Sequence, residues 1–311
     1  MSQGKLAKIQ QSVINKKFWP LGWDKIVVSG IFLVCLGLLA YKAYSSWETL
    51  LKFEWKIRYV WFVPLSLLFI AQTLTVVWGW WSILGRLTHH VPFRKHVKVY
   101  CYTVLARRIP AGLLWMIAGR AYWYRQLDIP VSISTVASFL ELGLVILAGL
   151  PIGALQMGVV ASLQPRYVLV IFGLTVAIAA VLIQPCCLNQ IWRFLKRRKL
   201  GIILSYQDSL RWTWIYILVW LLSGTGLYIV VNLFYALPVQ SIPEIIGVWT
   251  LASLVSYFTL LTPSGLGVKE LSLTFLLGFY LPEPLPLVVA LAARILWTVY
   301  EIIAGLVSLV L

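Results

Sequence analysis

The chain has 311 residues, 61% of them hydrophobic and only 12% charged, with a formal net charge of +16. Soluble domains are usually about half apolar and about a quarter charged, so this composition excludes a water-soluble globular protein and makes the bilayer the fitting solvent. The cations lie between apolar runs rather than on a basic face interleaved with aromatics, which argues for anionic lipid surfaces and topology control and against nucleic acid.

Residues 1–25 form a polar, lysine-rich N-terminal segment (Lys5, Lys8, Lys16, Lys17, Lys25) with no small-residue cleavage site before the first apolar run, so no cleavable signal peptide is expected. A membrane span needs about 20 apolar residues. The first runs over 26–44. The following stretch 42–58 sets Trp47, Leu50, Leu51 and Trp55 at helical spacing, either as an amphipathic helix in the outer interface or as an extension of the first span. A second span covers 59–84. The loop after it is basic (Arg86, Arg94, Lys95, Lys98) and holds His89, His90 and His96, read as solvated loop histidines rather than a metal site.

An apolar stretch over 97–119 is then broken at Arg107, Arg108 and Pro110. Spans follow at 133–155, 167–188 and 212–236, with a basic loop (Arg193, Lys196, Arg197, Arg198, Lys199, Arg211) between the last two. A second broken stretch, 245–281, is interrupted from Pro263 to Glu270, and a last span covers 285–308. Each broken stretch reads as two short halves. If each enters and leaves on one side, the N-terminus and both basic loops fall together on the cytoplasmic side, as the positive-inside rule asks. Trp19, Trp23, Trp47, Trp55, Trp212 and Trp214 lie at the ends of apolar runs and read as interfacial belts. Cys35, Cys101, Cys186 and Cys187 have neither metal-ligand spacing nor a disulfide framework.

The predicted fold is therefore all-α: a polytopic protein of about six full transmembrane helices plus two broken or re-entrant hairpins, in a single membrane domain over 26–308. A repeat divides it. Pro110-Ala111-Gly112-Leu113 matches Pro263-Ser264-Gly265-Leu266; proline turns at Pro130 and Pro282 follow, and each copy places a charge 31 residues after its motif proline, Glu141 and Arg294. Three full spans separate the copies, so the halves, about 26–155 and 167–308, are expected to be inverted. Inverted repeats with discontinuous helices are a transporter signature, with the substrate site near the midplane.

Ionisable side chains at membrane depth are costly and pair with one another or line wet cavities. Glu141, Lys269, Glu270, Arg294 and Glu301 meet that description; Arg120 is expected to lie shallower. Arg294 and Glu301 share a helix face but stand about 10.5 Å apart along the axis, so each needs a partner on another helix. Glu141 is the natural partner for Arg294 if the halves meet. Around the second break, Ser264, Gly265 and Gly267 permit a tight turn and close approach of a ligand. A helix starting there would point N–H groups and a positive dipole end at a phosphate, with Lys269 adding charge and Glu270 suiting the first turn.

The run Thr262-Pro263-Ser264-Gly265-Leu266-Gly267-Val268-Lys269-Glu270 resembles the Pro-Gly-Gly-x-Gly-x-Arg-Glu motif of the lysylphosphatidylglycerol synthase/flippase transmembrane-region family. Arg108-Ile109-Pro110-Ala111-Gly112, Trp115, Gly119-Arg120 and Glu141 are similar to that family's first-half pattern, and Arg294 also matches. The resemblance covers roughly residues 25–308. It implies a polytopic inner-membrane protein linked to lipid translocation, in some relatives to polyprenol-linked saccharide pathways. Ser264 and Ala111 each replace a motif glycine, and Lys269 replaces arginine, keeping charge but losing the bidentate fork. The aminoacyl-transferring members carry a large soluble C-terminal domain; this chain stops at Leu311, so lysyl transfer is not expected of it.

The functional expectation is a lipid translocase or lipid-binding transporter for an anionic or zwitterionic phospholipid or polyprenyl-phosphate lipid. Its headgroup-binding residues would be Arg120, Glu141, Ser264, Gly265, Gly267, Lys269, Glu270, Arg294 and Glu301, with hairpin breaks at Pro110, Gly112 and Pro263. No cofactor or metal is expected. Membrane lipids are the expected partners, with a homo-oligomer or an envelope-biosynthesis protein as further ones. Two alternatives are an enzyme acting on lipid-linked sugars through Glu48 and Glu54, and a non-transporting subunit of an envelope assembly complex.

Overall fold

A computed structural model describes residues 22–53, 56–88, 91–106, 112–184, 205–258 and 267–310. Every regular element among them is helical. In chain order these are α1 (Gly22–Ser45), α2 (Trp47–Lys52), α3 (Phe62–Leu87), α4 (Phe93–Leu105), α5 (Gly112–Arg125), α6 (Val131–Val160), α7 (Pro165–Leu182), α8 (Tyr206–Phe234), α9 (Ile242–Phe258), α10 (Val268–Leu277) and α11 (Leu285–Val310). Single 3-10 turns, Tyr59–Trp61 and Val239–Ser241, lead into α3 and α9.

Six stretches among the described residues are helical, long and apolar enough to cross a bilayer: Tyr59–Leu87, Val131–Gly158, Pro165–Leu182, Tyr206–Phe234, Val239–Tyr257 and Leu285–Val310. Five match spans expected from the sequence. The sixth, α9 with its leading turn, is the first half of the second broken stretch and is longer than a half-hairpin should be. Its partner α10 has 10 residues, and α4 and α5 have 13 and 14. At 1.5 Å per residue these three reach about 15–21 Å, short of a hydrocarbon core of about 30 Å. The first expected span is α1, a helix of 24 residues that begins inside the segment assigned to the N-terminal tail. The stretch after it is neither a long amphipathic helix nor a plain extension: α1 stops at Ser45, and α2 is a separate helix of six residues.

Both broken stretches fold back. In the first, His96 near the start of α4 bonds Tyr124 at the end of α5, and Thr103 abuts Gly119. In the second, Gln156 of α6 meets Gly247 near the start of α9 and also Tyr280, just beyond α10. Proline turns then start the next helices, with Pro130 O accepting from Ile133 and Pro282 O from Leu285.

At the centre, α3 and α8 lie antiparallel. The ladder of contacts runs Arg86–Asp208, Ser82–Trp212, Gly79–Tyr216, Leu68–Gly226 and, at the far end, Arg58 N–H to Leu233 O. Around this pair the packing pattern recurs. α4 packs on α11 as α9 packs on α6; α3 packs on α4 and α6 as α8 packs on α9 and α11; α5 lies on α6 as α10 lies on α11. The correspondence is incomplete, because α7 packs on α6 whereas α1 touches α10. Glycines permit the close approaches: a Cβ on Gly224 of α8 would sit 2.5 Å from Ile246 Cα of α9, and one on Gly153 of α6 would sit 2.8 Å from Leu254.

α8 starts six residues before the span expected from hydropathy. Its first turn is polar and is held by a capping box, Ser205 Oγ accepting from the Asp208 N–H and Asp208 Oδ2 from the Ser205 N–H. Trp212, expected in an interfacial belt, is buried in this helix and donates its indole N–H to Ser82 Oγ at 3.1 Å. Trp47 and Trp214 are exposed, as belt residues should be. Trp19 and Trp55 lie outside the described residues, as do Cys186 and Cys187; Cys35 and Cys101 are free and buried.

Candidate functional site

Glu141 is the eleventh residue of its span and Arg294 the tenth of its own. At 1.5 Å per residue, both lie roughly 15 Å in, near mid-membrane. Residues of α3, α4, α5, α6, α8, α9, α10 and α11 line a partly open cavity of ≈190 Å³. Among the described residues, six charged side chains line it: Arg120, Glu141, Lys269, Glu270, Arg294 and Glu301. These are all the ionisable residues singled out from the sequence as headgroup-binding, drawn from four helices in the two halves. Pocket volumes for drug-sized ligands run to about 300–1,000 Å³, so this space suits a headgroup rather than a whole lipid.

At the α5/α6 corner, Arg120 is not shallow; it is among the largest fully buried side chains of the described residues. Its Nη1 donates to Glu141 Oε2. Its guanidinium lies over the Trp80 ring at 4.2 Å and the Tyr100 ring at 5.3 Å. The planar, weakly hydrated guanidinium suits this sandwich better than an ammonium would. Tyr216 of α8 donates to Glu141 Oε1 at 3.4 Å, so the second half's central helix touches the first half's ion pair.

Behind Arg120 the polar chain continues. Trp80 Nε1–H donates to Tyr124 Oη at 2.7 Å, and His96 Nδ1 lies 2.7 Å from the same oxygen. The arrangement that satisfies all three has Tyr124 donating to His96 Nδ1. His96 is thus buried and engaged, which corrects its reading as a solvated loop histidine. The sequence placed it in a basic loop, but α4 begins three residues earlier, at Phe93, and turns His96 inward. His89 and His90 lie outside the described residues.

At the α10/α11 corner, α10 starts at Val268, with Gly267 as its N-cap at φ 88°, a conformation that glycine adopts without strain. Glu270 Oε2 turns back to accept the Gly267 N–H at 2.7 Å, and Arg294 Nη1 stands 3.3 Å from Glu270 Oε1. The helix start that seemed open to a phosphate is therefore partly satisfied by its own first-turn carboxylate. Lys269 Nζ sits 3.4 Å above the Trp249 ring, which packs on Trp297 with centroids 4.6 Å apart. Pro110, Pro263, Ser264 and Gly265 lie outside the described residues, and Gly112 is the first residue of α5.

Arg294 pairs with Glu270, and Glu141 with Arg120, so the expected Glu141–Arg294 bridge does not form. The reason is local. Each hairpin's second helix lies directly against the following span and supplies a closer counter-charge. Glu301 lines the cavity seven residues beyond Arg294, next to Tyr300, whose hydroxyl bonds Ser66 at 2.9 Å and whose ring stacks on Phe69. Two buried polar atoms of cavity-lining residues, Arg120 Nε and Ser253 Oγ, have no hydrogen-bond partner among the described residues. Glu48 is exposed and forms a surface pair with Lys52 at 3.7 Å, and Glu54 lies outside the described residues.

Sequence reading missed the aromatic and hydroxyl frame: Trp80, Tyr100, Tyr124, Tyr216, Trp249, Ser253 and Trp297. The available signal was polar-tipped aromatic residues well inside apolar runs, where each N–H or O–H must find a partner.

The fold and this site define an all-α polytopic membrane protein with a charged cavity at mid-depth. No family model and no curated protein sequence matches the chain.

Proposed function

We propose that this protein takes the phosphate-bearing headgroup of a membrane lipid into the cavity between two inverted halves and moves it across the bilayer, as a translocase does. The observation that carries the reading is the convergence of six charged side chains on one mid-membrane cavity. Charge at that depth is costly and is characteristic of substrate pathways. The antiparallel α3/α8 pair and the recurrent packing around it suit two halves of opposite orientation, with the site at their interface. The motif resemblance around Gly267-Val268-Lys269-Glu270 points the same way.

We assign the N-terminus to the cytoplasmic side of the inner (plasma) membrane. The Arg86–Asp208 bridge brings the end of α3 beside the start of α8, which supports a shared face for the basic residues at those two ends, Arg86, Arg94, Lys95, Lys98 and Arg211.

The test is reconstitution of the full chain into liposomes carrying headgroup-labelled phospholipid, read by accessibility of the label to an impermeant quencher. Translocation is expected to exceed that of protein-free vesicles and to fall about tenfold in Arg294→Gln, the loss of one charged contact corresponding to roughly 1.4 kcal/mol or more. A folded protein that leaves the lipid distribution unchanged would overturn the proposal.

A further inference from the structure

The outer face of the first hairpin carries a pattern of its own, apart from the cavity. The sequence placed Arg94, Lys95 and Lys98 in a loop, but all three stand on α4. At about 100° per residue, Arg94, Lys95, Lys98 and Tyr102 fall within about 100° of one helix face. That face points away from the core. Arg94 and Lys95 are exposed, Lys98 and Tyr102 are half-buried, and His96, Val99 and Thr103 on the opposite side are buried. Tyr102 stacks on Trp123 of α5 with ring centroids 5.6 Å apart, and the exposed Tyr122 meets the same Trp123 edge-on at 5.8 Å. The seam between α4 and α5 thus runs from cations at the helix end to aromatic rings about 12 Å deeper along the axis.

Topology control asks only that cations lie near the ends of spans. It does not ask that they stand in register above a ring stack. The second hairpin separates the two requirements. There Phe275 of α10 meets the exposed Phe279 edge-on with centroids 5.4 Å apart, so exposed rings recur. But α9 has no lysine or arginine, and the one cation of α10, Lys269, lines the cavity. Rings alone suit the lipid interface of either leaflet. Rings topped by cations also offer charge to a phosphate and an apolar, polar-edged surface to the glycerol and ester region. We propose that the α4/α5 seam docks an anionic phospholipid of the leaflet at the Arg86–Asp208 end, its phosphate at Arg94, Lys95 and Lys98 and its glycerol backbone along Tyr102, Tyr122 and Trp123. The site is distinct from the cavity and does not depend on what the cavity holds, although one helix serves both. α5 turns Arg120 inward to Glu141 and Trp123 outward to Tyr102.

The experiment is native mass spectrometry of the full chain in detergent, titrated with phosphatidylglycerol, phosphatidylcholine of matched chains and free glycerol 3-phosphate. Arg94→Gln combined with Lys98→Gln is expected to lower phosphatidylglycerol retention about tenfold or more and to leave phosphatidylcholine unchanged. Lys5→Gln combined with Lys8→Gln removes the same charge elsewhere and is expected to change neither. Equal loss in the two double variants would mean a diffuse basic surface and would overturn the site. Loss in Arg294→Gln but not in the α4 double variant would put the lipid in the cavity, overturning this inference and leaving the proposed function standing. Glycerol 3-phosphate binding as tightly as the lipid would overturn the lipid as occupant. Should the α4 variant fail to fold, wild-type protein in liposomes with phosphatidylglycerol carrying a photoreactive headgroup gives an independent reading. Label is expected within 93–125, and label confined to other segments would overturn the site.

Discussion

The α5/α6 and α10/α11 corners are built alike and buried differently. Each joins a hairpin's second helix to the following span through one arginine–glutamate pair. The Arg120 and Glu141 side chains are 2% and 8% exposed; for Arg294 and Glu270 the values are 18% and 5%. Arg120 is also held by two aromatic rings and backed by the Trp80–Tyr124–His96 chain. Arg294 keeps part of its surface open, and Lys269, held over the Trp249 ring, lines the same cavity. The difference teaches that identical chemistry does two jobs. On the proposed function, the sealed pair would lock helices together and the less buried Arg294 would meet the ligand.

The sharpest way to break this comparison is to remove one partner of the sealed pair. Glu141→Ala leaves the Arg120 guanidinium buried without its counter-charge. Loss of about 3–5 kcal/mol of stability is expected, because a lone buried charge is far worse than none. Denaturant titration in detergent reads this directly. Replacing both Arg120 and Glu141 by methionine should recover most of it, since a well-packed apolar pair avoids the desolvation cost. A loss under about 1 kcal/mol would show that the corner behaves as exposed surface and would erase the contrast.

Glu270→Ala is the matching change at the open corner. It removes the acceptor for the Gly267 N–H and the partner of Arg294 together. The cap is worth about 0.5–2 kcal/mol, and the part-exposed arginine can recruit water, so a total near 2 kcal/mol is expected. The smaller stability cost should accompany a larger loss of lipid retention than Glu141→Ala causes in the fraction that stays folded. Equal or reversed ordering of the two readouts would sink the division of labour.

The ionisable residues were legible in the sequence because each is an anomaly inside an apolar run, and the cavity gathers all six. That both stretches fold back was legible because Pro and Gly interrupt them; that α9 with its leading turn is long enough to cross by itself was not. Neither was pairing. Glu141 has the same sequence relation to its motif as Arg294 has, which suggested that the two should meet. Pairing depends on helix register, and the register put Arg120 and Glu270 closer. Nor could hydropathy find the start of α8, since its first turn is polar and is fixed by the Ser205–Asp208 cap rather than by burial. His96 was misread because a basic neighbourhood signals a loop, whereas α4 is amphipathic from its first turn and buries one side of it.

The smallest effect expected lies on the outer surface, where α1 is tied to the loop before α11. Lys42 Nζ and Glu283 Oε1 stand 2.6 Å apart, closer than Arg294 and Glu270, yet the two side chains are 39% and 48% exposed. In water the attraction is screened, and holding two long side chains in one geometry has an entropic cost. Lys42→Ala is therefore expected to change stability by no more than about 1 kcal/mol, with the residual effect vanishing at high salt. The same denaturant titration used for Glu141→Ala, run at low and high ionic strength, measures it. A salt-independent loss as large as that of Glu141→Ala would mean that distance rather than burial sets the worth of an ion pair here. The contrast between the sealed and open corners would then lose its physical basis.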